Sequence, residues 1–410
     1  MAMFDQYLAR RYRTTVRPRP EDYKIKDNVA IVGIGATEFS RDSGRSECQL
    51  ACEAIKAAAD DAGLKIEAID GLVKFAMDYT DEMHVISALG IPKLNYFGEC
   101  GWGGGASCAT IVHAATAVAA GAAKYVVCYR GMNERSGRRY GRIPGVEQVM
   151  ISPNDHFGSI MPYGFATPPS WVAMFTTRYM HEFGATSEQL ASVCIVLREY
   201  ACRNPKAMFY GKPLTLEDYR TARMIVEPLR LFDCCVDTDG AVALIVTSTE
   251  RARELKQRPA IILGCTQGIA TQGEMMTSLY RPRISGIPES WYAGQELWRV
   301  SGVTPRDIDV VQFYDAFSPL IPMQLEEYGF CGVGEGAAFC EGGDRIRLDG
   351  ELPCNTSGGH LSEAYIHGMN LISEAVRQIR GTSTSQVKDV ELSLVTGGLG
   401  VPTSAIVLRR

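Results

Sequence analysis

Apolar positions along the chain alternate between short continuous runs and longer stripes at helical spacing. The run "NVAIVGIGATEF" (Asn28 to Phe39), closed by glycines, predicts a buried strand. It is followed by "SECQLACEAIKAAADDAGLKIEAIDGLVKF" (Ser46 to Phe75), which predicts a helix stopped at Gly63 and a strand from Ile69 onward. The segment "CATIVHAATAVAAGAAKYVVCY" (Cys108 to Tyr129) is the longest apolar stretch. Its alanines and the interruptions at His113, Gly121 and Lys124 suit a buried helix leading into a strand better than a bilayer span.

The pattern then repeats. Ala59 to Phe75 aligns without gaps with Trp298 to Tyr314, matching Gly63 with Gly302, Ile69 with Ile308 and Asp70 with Asp309. Gly103 to Gly121 and Ser357 to Gly381 each read as a glycine cluster opening a long small-residue helix that feeds a strand. A second half begins near "RPAIILGC" (Arg258 to Cys265), mirroring "NVAIVGIG". Two similar α/β halves, each a mixed sheet packed on helices, are the expected architecture. The expected boundaries are an extension over residues 1–26, a first half over 27–255 and a second over 256–410. The first half holds an inserted domain at about 140–220, whose part from His156 to Tyr219 is aromatic, partly helical and outside the repeat. The extension, with Arg10, Arg11, Arg13, Arg17 and Arg19 among prolines, reads as a segment lying on the surface or on a partner.

Composition narrows the function. The chain has 410 residues, 46% hydrophobic and 22% charged, with a formal net charge of −5, so it is a folded globular protein without the basic footprint of a nucleic-acid binder. The N-terminus shows no secretory signal, and 13 cysteines are scattered without zinc spacing, so reduced thiols in the cytoplasm are expected. "DCCVDTDGA" (Asp233 to Ala241) carries carboxylates and thiols that suggest a metal when taken alone.

Several long motifs in order carry a resemblance. They are "IVGIGATEFSRDSGRS" (Ile31 to Ser46), "YRGMNERSG" (Tyr129 to Gly137), "NPKAMFYGKP" (Asn204 to Pro213), "EPLRLFDCCVDTDGA" (Glu227 to Ala241), "YDAF" (Tyr314 to Phe317), the Glu326 to Glu335 stretch and "GGHLSEAYIHGMN" (Gly358 to Asn370). From about Asn28 to its end the chain resembles the thiolase superfamily. Within it, it is most similar to the thiolase-like "lipid transfer protein" aldolases of steroid side-chain degradation, relatives of sterol carrier protein thiolase. The resemblance implies a five-layered α-β-α-β-α fold of two duplicated halves, with the insertion placed over the substrate. It also makes "DCCVDTDGA" a strand and turn, with Asp237 and Asp239 satisfying turn backbone.

The thiolase groups are missing. The position of the cysteine nucleophile falls within Gly103-Gly104-Gly105, flanked by Cys100 and Cys108; a displaced nucleophile at one of these is a rival reading. The second thiolase cysteine is replaced by Leu394 or Val395, the Asn of the Asn-Glu-Ala-Phe motif by Tyr314, and the catalytic His by Tyr365. Glycines at Gly104, Gly105, Gly397 and Gly398 remain, whose backbone N–H groups, with His360, are candidates for substrate binding. Two tyrosines beside such a cleft suit a retro-aldol cleavage, which needs no nucleophile. A tyrosine base would require its pKa to fall by ~1 to 3 from about 10, through a cation or hydrogen bonds. His360 and His367 can relay the proton, and Asp315 either orients a tyrosine or simply ends a strand. His113 reads as a bonded core histidine, and "GRRYGR" (Gly137 to Arg142) as a solvated loop or a contact for CoA phosphates.

The resemblance therefore implies cleavage of a steroid β-hydroxyacyl-CoA of the 17-hydroxy-pregnene-20-carboxyl-CoA type to a 17-ketosteroid and propionyl-CoA. It implies a homodimer core, a partner with an OB-fold and a zinc-ribbon-like segment, an associated enoyl-CoA hydratase, and no cofactor in this chain beyond the CoA its substrate carries. The alternatives are an acyltransferase using Cys100 or Cys108, and a non-catalytic acyl-CoA or lipid carrier.

Overall fold

Alternate residues of the first strand serve two different cores. Val29 and Ile31 pack with one set of helices and Ala30 and Val32 with another, so the strand is covered on both faces and reads as a continuous apolar run. The computed structural model describes residues 23–101, 103–137, 139, 160–165, 167–269, 283–398 and 403–410. The N-terminal extension, most of "GRRYGR" and the start of the insertion lie outside the described residues.

The first half runs β1 (Val29–Ala36), α1 (Glu47–Ala62), β2 (Gly71–Phe75), α2 (Glu82–Leu89), β3 (Tyr96–Cys100), α3 (Ala106–Ala119) and β4 (Val126–Asn133). The insertion contributes α4 (Pro168–Phe183), α5 (Ser187–Arg203) and α6 (Leu216–Thr221), and β5 (Asp239–Ser248) returns to the sheet. The second half runs β6 (Ala260–Gly268), α7 (Pro288–Ser301), β7 (Val310–Gln312), α8 (Leu320–Glu327), α9 (Met369–Arg380), β8 (Leu392–Thr396) and β9 (Thr403–Arg409). The nine strands are ordered β3-β2-β4-β5-β1-β6-β9-β8-β7, and the halves join where β1 and β6 pair antiparallel.

Helix α1 covers the outer face of the first half-sheet and α7 that of the second, while α3 touches strands of both halves and α9 lies beside it. That is the five-layered arrangement the resemblance implies. The duplication extends to hydrogen bonds. Gly63 and Gly302 both end their helices in the left-handed region, at φ 69° and 76°. Asp70 accepts from the N–H groups of Lys124 and Tyr125 at 2.8 and 2.9 Å, as Asp309 accepts from those of Glu391 and Leu392 at 2.8 Å. A parallel bridge of Val311 to Cys354 stands where β3 stands in the first half. Among the described residues no helix is long and apolar enough to cross a membrane.

One predicted element differs. The glycine cluster at Gly358 opens not the long helix but a single π-turn, Gly359–Glu363, and α9 starts only at Met369. Gly358, Gly359, His367 and Gly368 all take positive φ, which an α-helix excludes, so Ala364 to His367 crosses the site as a separate linker.

Candidate active site

Tyr314 follows β7 and is fixed at both ends of its peptide. Its N–H donates to Thr396 Oγ1 at 2.9 Å, and its carbonyl accepts from Gln324 Nε2 at 2.8 Å. The ring then lies across the opening of α3, where a Cβ on Gly104 would stand 1.9 Å from Tyr314 Cζ and one on Gly398 2.9 Å from Cε1. These glycines are present because the ring approaches their backbone. Tyr365 sits in the linker before α9, its N–H donating to Thr238 Oγ1 at 3.2 Å. The two hydroxyl oxygens are 2.8 Å apart, both in the core. The structure thus brings together the two tyrosines predicted to stand where thiolases carry Asn and His.

Around the pair stand two imidazoles. His360 lies edge-on to Tyr314 and Tyr365, with ring centroids 4.7 and 5.1 Å away, and His367 lies 5.0 Å from Tyr365. Burial drives the pKa of His360 down to about 3, with Asn370 opposing. Burial, then the Arg130 guanidinium, hold His367 well below the ordinary value, so both rings are neutral. Burial also pushes both tyrosines well above their ordinary range. The downward shift that a tyrosine base would need is therefore absent, because Arg130 is ion-paired with Asp78 and the tyrosine pair is desolvated.

Asp315 orients this group. It accepts from the N–H of His360 at 2.9 Å and of Leu361 at 3.2 Å, and a Cβ on Gly359 would stand 2.2 Å from its Oδ2. His360 Nδ1 lies 3.3 Å from Oδ1, a contact with a neutral ring rather than an ion pair. Burial raises the Asp315 pKa to about 7 against backbone N–H groups that pull it down. A raised carboxyl pKa gives stability that is present at low pH and lost as pH climbs through the folded value. The wild type is expected to lose stability between pH 5 and pH 8 relative to Asp315→Asn, read by denaturant unfolding at both values. An identical pH dependence in the two proteins would show that Asp315 does not titrate in this range.

The remaining predicted residues divide. Gly397 N–H donates to Ser404 O at 2.6 Å and Gly398 N–H to Gly104 O at 2.9 Å, so these two amides bind the fold and not a ligand. Gly105 O accepts from Ser404 Oγ at 2.5 Å, which leaves the Gly104 and Gly105 amides at the opening of α3 as the candidate donors. Cys100 ends β3, where burial pushes its thiol up to about 12. Cys108 is fully buried, also pushed up, and directed at Val395 O at 3.6 Å. Neither is activated as a nucleophile. Asp239 accepts from the N–H groups of Ser43, Arg135 and Ser136, as a turn residue should, whereas Asp237 pairs instead with Arg139. His113 is half-buried and bonded to Gln267 at 3.2 Å. A cleft of about 570 Å³ lined by Tyr163, Met174, His181 and Val226 opens beside α4, but no residue of the tyrosine cluster lines it, so the cluster and not this cleft marks the site.

Sequence reasoning missed Arg130, Asp78 and Thr238. The first two carried a signal, since a charged residue within "YVVCYRGMN" or "KFAMDYT" must find a partner if the strand is buried.

Residues 280–410 match the family described as Thiolase C-terminal domain-like. The steroid side-chain-cleaving aldolase of Thermomonospora curvata is 54% identical over 93% of this chain and 97% of its own length. The 17-hydroxy-3-oxo-4-pregnene-20-carboxyl-CoA lyase of Mycobacterium tuberculosis is 50% identical over 94% of this chain and 100% of its own. The solved Ltp2-ChsH2(DUF35) aldolase superposes with a TM-score of 0.88 at 52% identity, covering 94% of this chain and 98% of that one.

Proposed function

Since the chain belongs to the thiolase-like family of steroid side-chain-cleaving aldolases, we propose that it cleaves a steroid β-hydroxyacyl-CoA of the 17-hydroxy-pregnene-20-carboxyl-CoA type by a retro-aldol reaction. The products are a 17-ketosteroid and propionyl-CoA. The observation that carries the reading is the pair of phenols 2.8 Å apart, with the thiols of Cys100, Cys108 and Cys235 all pushed up by burial. In the cleavage the β-hydroxyl loses its proton and its oxygen forms the ketone C=O. The adjacent carbon–carbon bond breaks with its electron pair moving into the thioester enolate, whose α-carbon then takes one proton. One proton leaves the substrate and one returns, so the paired hydroxyls can pass it along without either becoming a lasting phenolate. Raised tyrosine pKa values suit this relay. In this reading the Gly104 and Gly105 amides, at the positive end of α3, hold the enolate oxygen.

The ChsH2(DUF35) partner of the solved aldolase supports a DUF35 partner for this chain as well. A homodimer through β3, the edge strand of the sheet among the described residues, is supported by the exposure of Phe97 (69%) on that strand and of Tyr79 and Met83 nearby. Thirteen free cysteines favour the reducing cytoplasm. The test is to incubate the chain, with a DUF35 partner, with the tertiary β-hydroxyacyl-CoA. Ketosteroid and propionyl-CoA are expected, with the protein's mass unchanged and near-normal turnover in Cys100→Ser and Cys108→Ser. An acyl adduct, or inactivity of a folded serine variant, would establish the covalent route, and binding without turnover would establish a carrier.

A further inference from the structure

Arg130 projects from the middle of β4 into the core and is 1% exposed. A guanidinium so placed needs a counter-charge, and Asp78, fully buried, supplies it at 3.2 Å from Nη1. Asp78 is itself held by the N–H groups of Gly131 and Thr80, both at 2.9 Å, and by the Thr80 hydroxyl at 2.5 Å. Arg130 Nη1 also donates to Gly131 O at 3.0 Å, and the guanidinium carbon stands 5.7 Å from the centre of the Phe75 ring. Its Nε donates to Nδ1 of His367 at 3.2 Å. That contact fixes more than position. A ring nitrogen that accepts a hydrogen bond carries no proton, so the proton of neutral His367 must sit on Nε2. Phe75 stacks on the imidazole at 5.6 Å and the positive φ of His367 (48°) sets its angle beside Tyr365.

We propose that Arg130, anchored by Asp78, is a positioning residue that locks His367 as the neutral Nε2–H tautomer beside the tyrosine pair. This rests on the tyrosine site being where cleavage occurs. The consequence is chemical. Locked in this form, His367 presents a hydrogen-bond donor at Nε2 and has no free acceptor nitrogen to withdraw the proton from the Tyr314–Tyr365 relay. Among the described residues, the charged and titratable groups about it are Arg130 from β4, His360 from the π-turn and Tyr365 from its own linker.

The test uses the full chain with its six histidines labelled with nitrogen-15, His367 being assigned by loss of its signals in His367→Gln. In the wild type, an unprotonated Nδ1 and a protonated Nε2 are expected, unchanged from pH 6 to 9. The double variant Arg130→Met/Asp78→Asn removes donor and counter-charge together, leaving no orphaned ion. It should mix the tautomers and lower kcat about 10- to 100-fold with KM little changed. Arg130→Gln/Asp78→Asn keeps an N–H donor without the charge and should recover the tautomer and most of kcat. If neither double variant folds, Arg130→Lys retains the charge beside Asp78 but not the side-on N–H, and should mix the tautomers. A wild-type His367 protonated on Nδ1, or the same tautomer in the Met and Lys variants, would overturn the proposal. So would equal kcat losses in the Gln and Met variants. The tautomer readout is independent of turnover, so an inactive wild type with the expected tautomer would count against the aldolase reading alone.

Discussion

Tyr365→Phe is expected to slow carbon–carbon cleavage about 30- to 1,000-fold, a loss of about 2 to 4 kcal/mol of transition-state stabilisation. The substitution deletes one oxygen and leaves the ring, which sits edge-on between His360 and His367 at 5.1 and 5.0 Å. The backbone is untouched, since the linker is held by the Tyr365 N–H on Thr238 and by Asn370 Nδ2 on Ala364 O at 3.0 Å. What disappears is one half of a pair of hydroxyls 2.8 Å apart, and with it the route by which a proton passes from the substrate oxygen to the α-carbon. The measurement is kcat for propionyl-CoA release, beside a melting curve. A folded variant with full kcat would remove Tyr365 from the chemistry and transfer the proton to neutral His360.

The tyrosines were legible because each stands in a motif whose frame is local: "YDAF" at the end of a strand and "GGHLSEAYIHG" after a glycine pair. The duplicated halves were legible for the same reason, a gapless repeat that places Gly63 and Gly302, and Asp70 and Asp309, in matching roles. The start of α9 was not. Small and apolar residues from Gly359 onward satisfy helical spacing, and the positive φ at His367 and Gly368 that breaks the helix is set by the approach of the linker to Ser107 and Tyr314. The use of the Gly398 amide was hidden likewise, because it depends on Gly104 just before α3, far away in sequence, while that of Gly397 depends on the return of the chain at Ser404 in β9. The tyrosine pKa direction required knowing how completely the pair is buried and that the nearby cation is already paired. A motif carries neither fact.

Gly104→Ala should be as damaging as loss of a hydroxyl, although it lies on another element and removes nothing. The added Cβ would meet Tyr314 Cζ, Cε2 and OH at 1.9, 2.1 and 2.1 Å, distances no side chain tolerates, so something must move. The ring has little room, since a Cβ built on Gly398 would stand 2.9 Å from Cε1 and one on Gly368 3.4 Å from Cδ2, so both backbones lie close against it. Its peptide is held by Thr396 and Gln324, which are themselves bonded at 2.5 Å. The outcomes open to the protein are a shift of the first turn of α3 or rotation of the Tyr314 ring away from Tyr365. The first displaces the candidate amides at Gly104 and Gly105, and the second breaks the hydroxyl pair. Either misplaces catalytic groups by about an ångström or more, which costs on the order of 100-fold in kcat. Overpacking should add about 1 to 3 kcal/mol of destabilisation. Gly101→Ala is the matched control, since a Cβ there meets nothing within 4 Å among the described residues and should leave kcat near normal. Were Gly104→Ala to cleave substrate at the rate of Gly101→Ala, the junction of α3 with Tyr314 would not be the reaction centre.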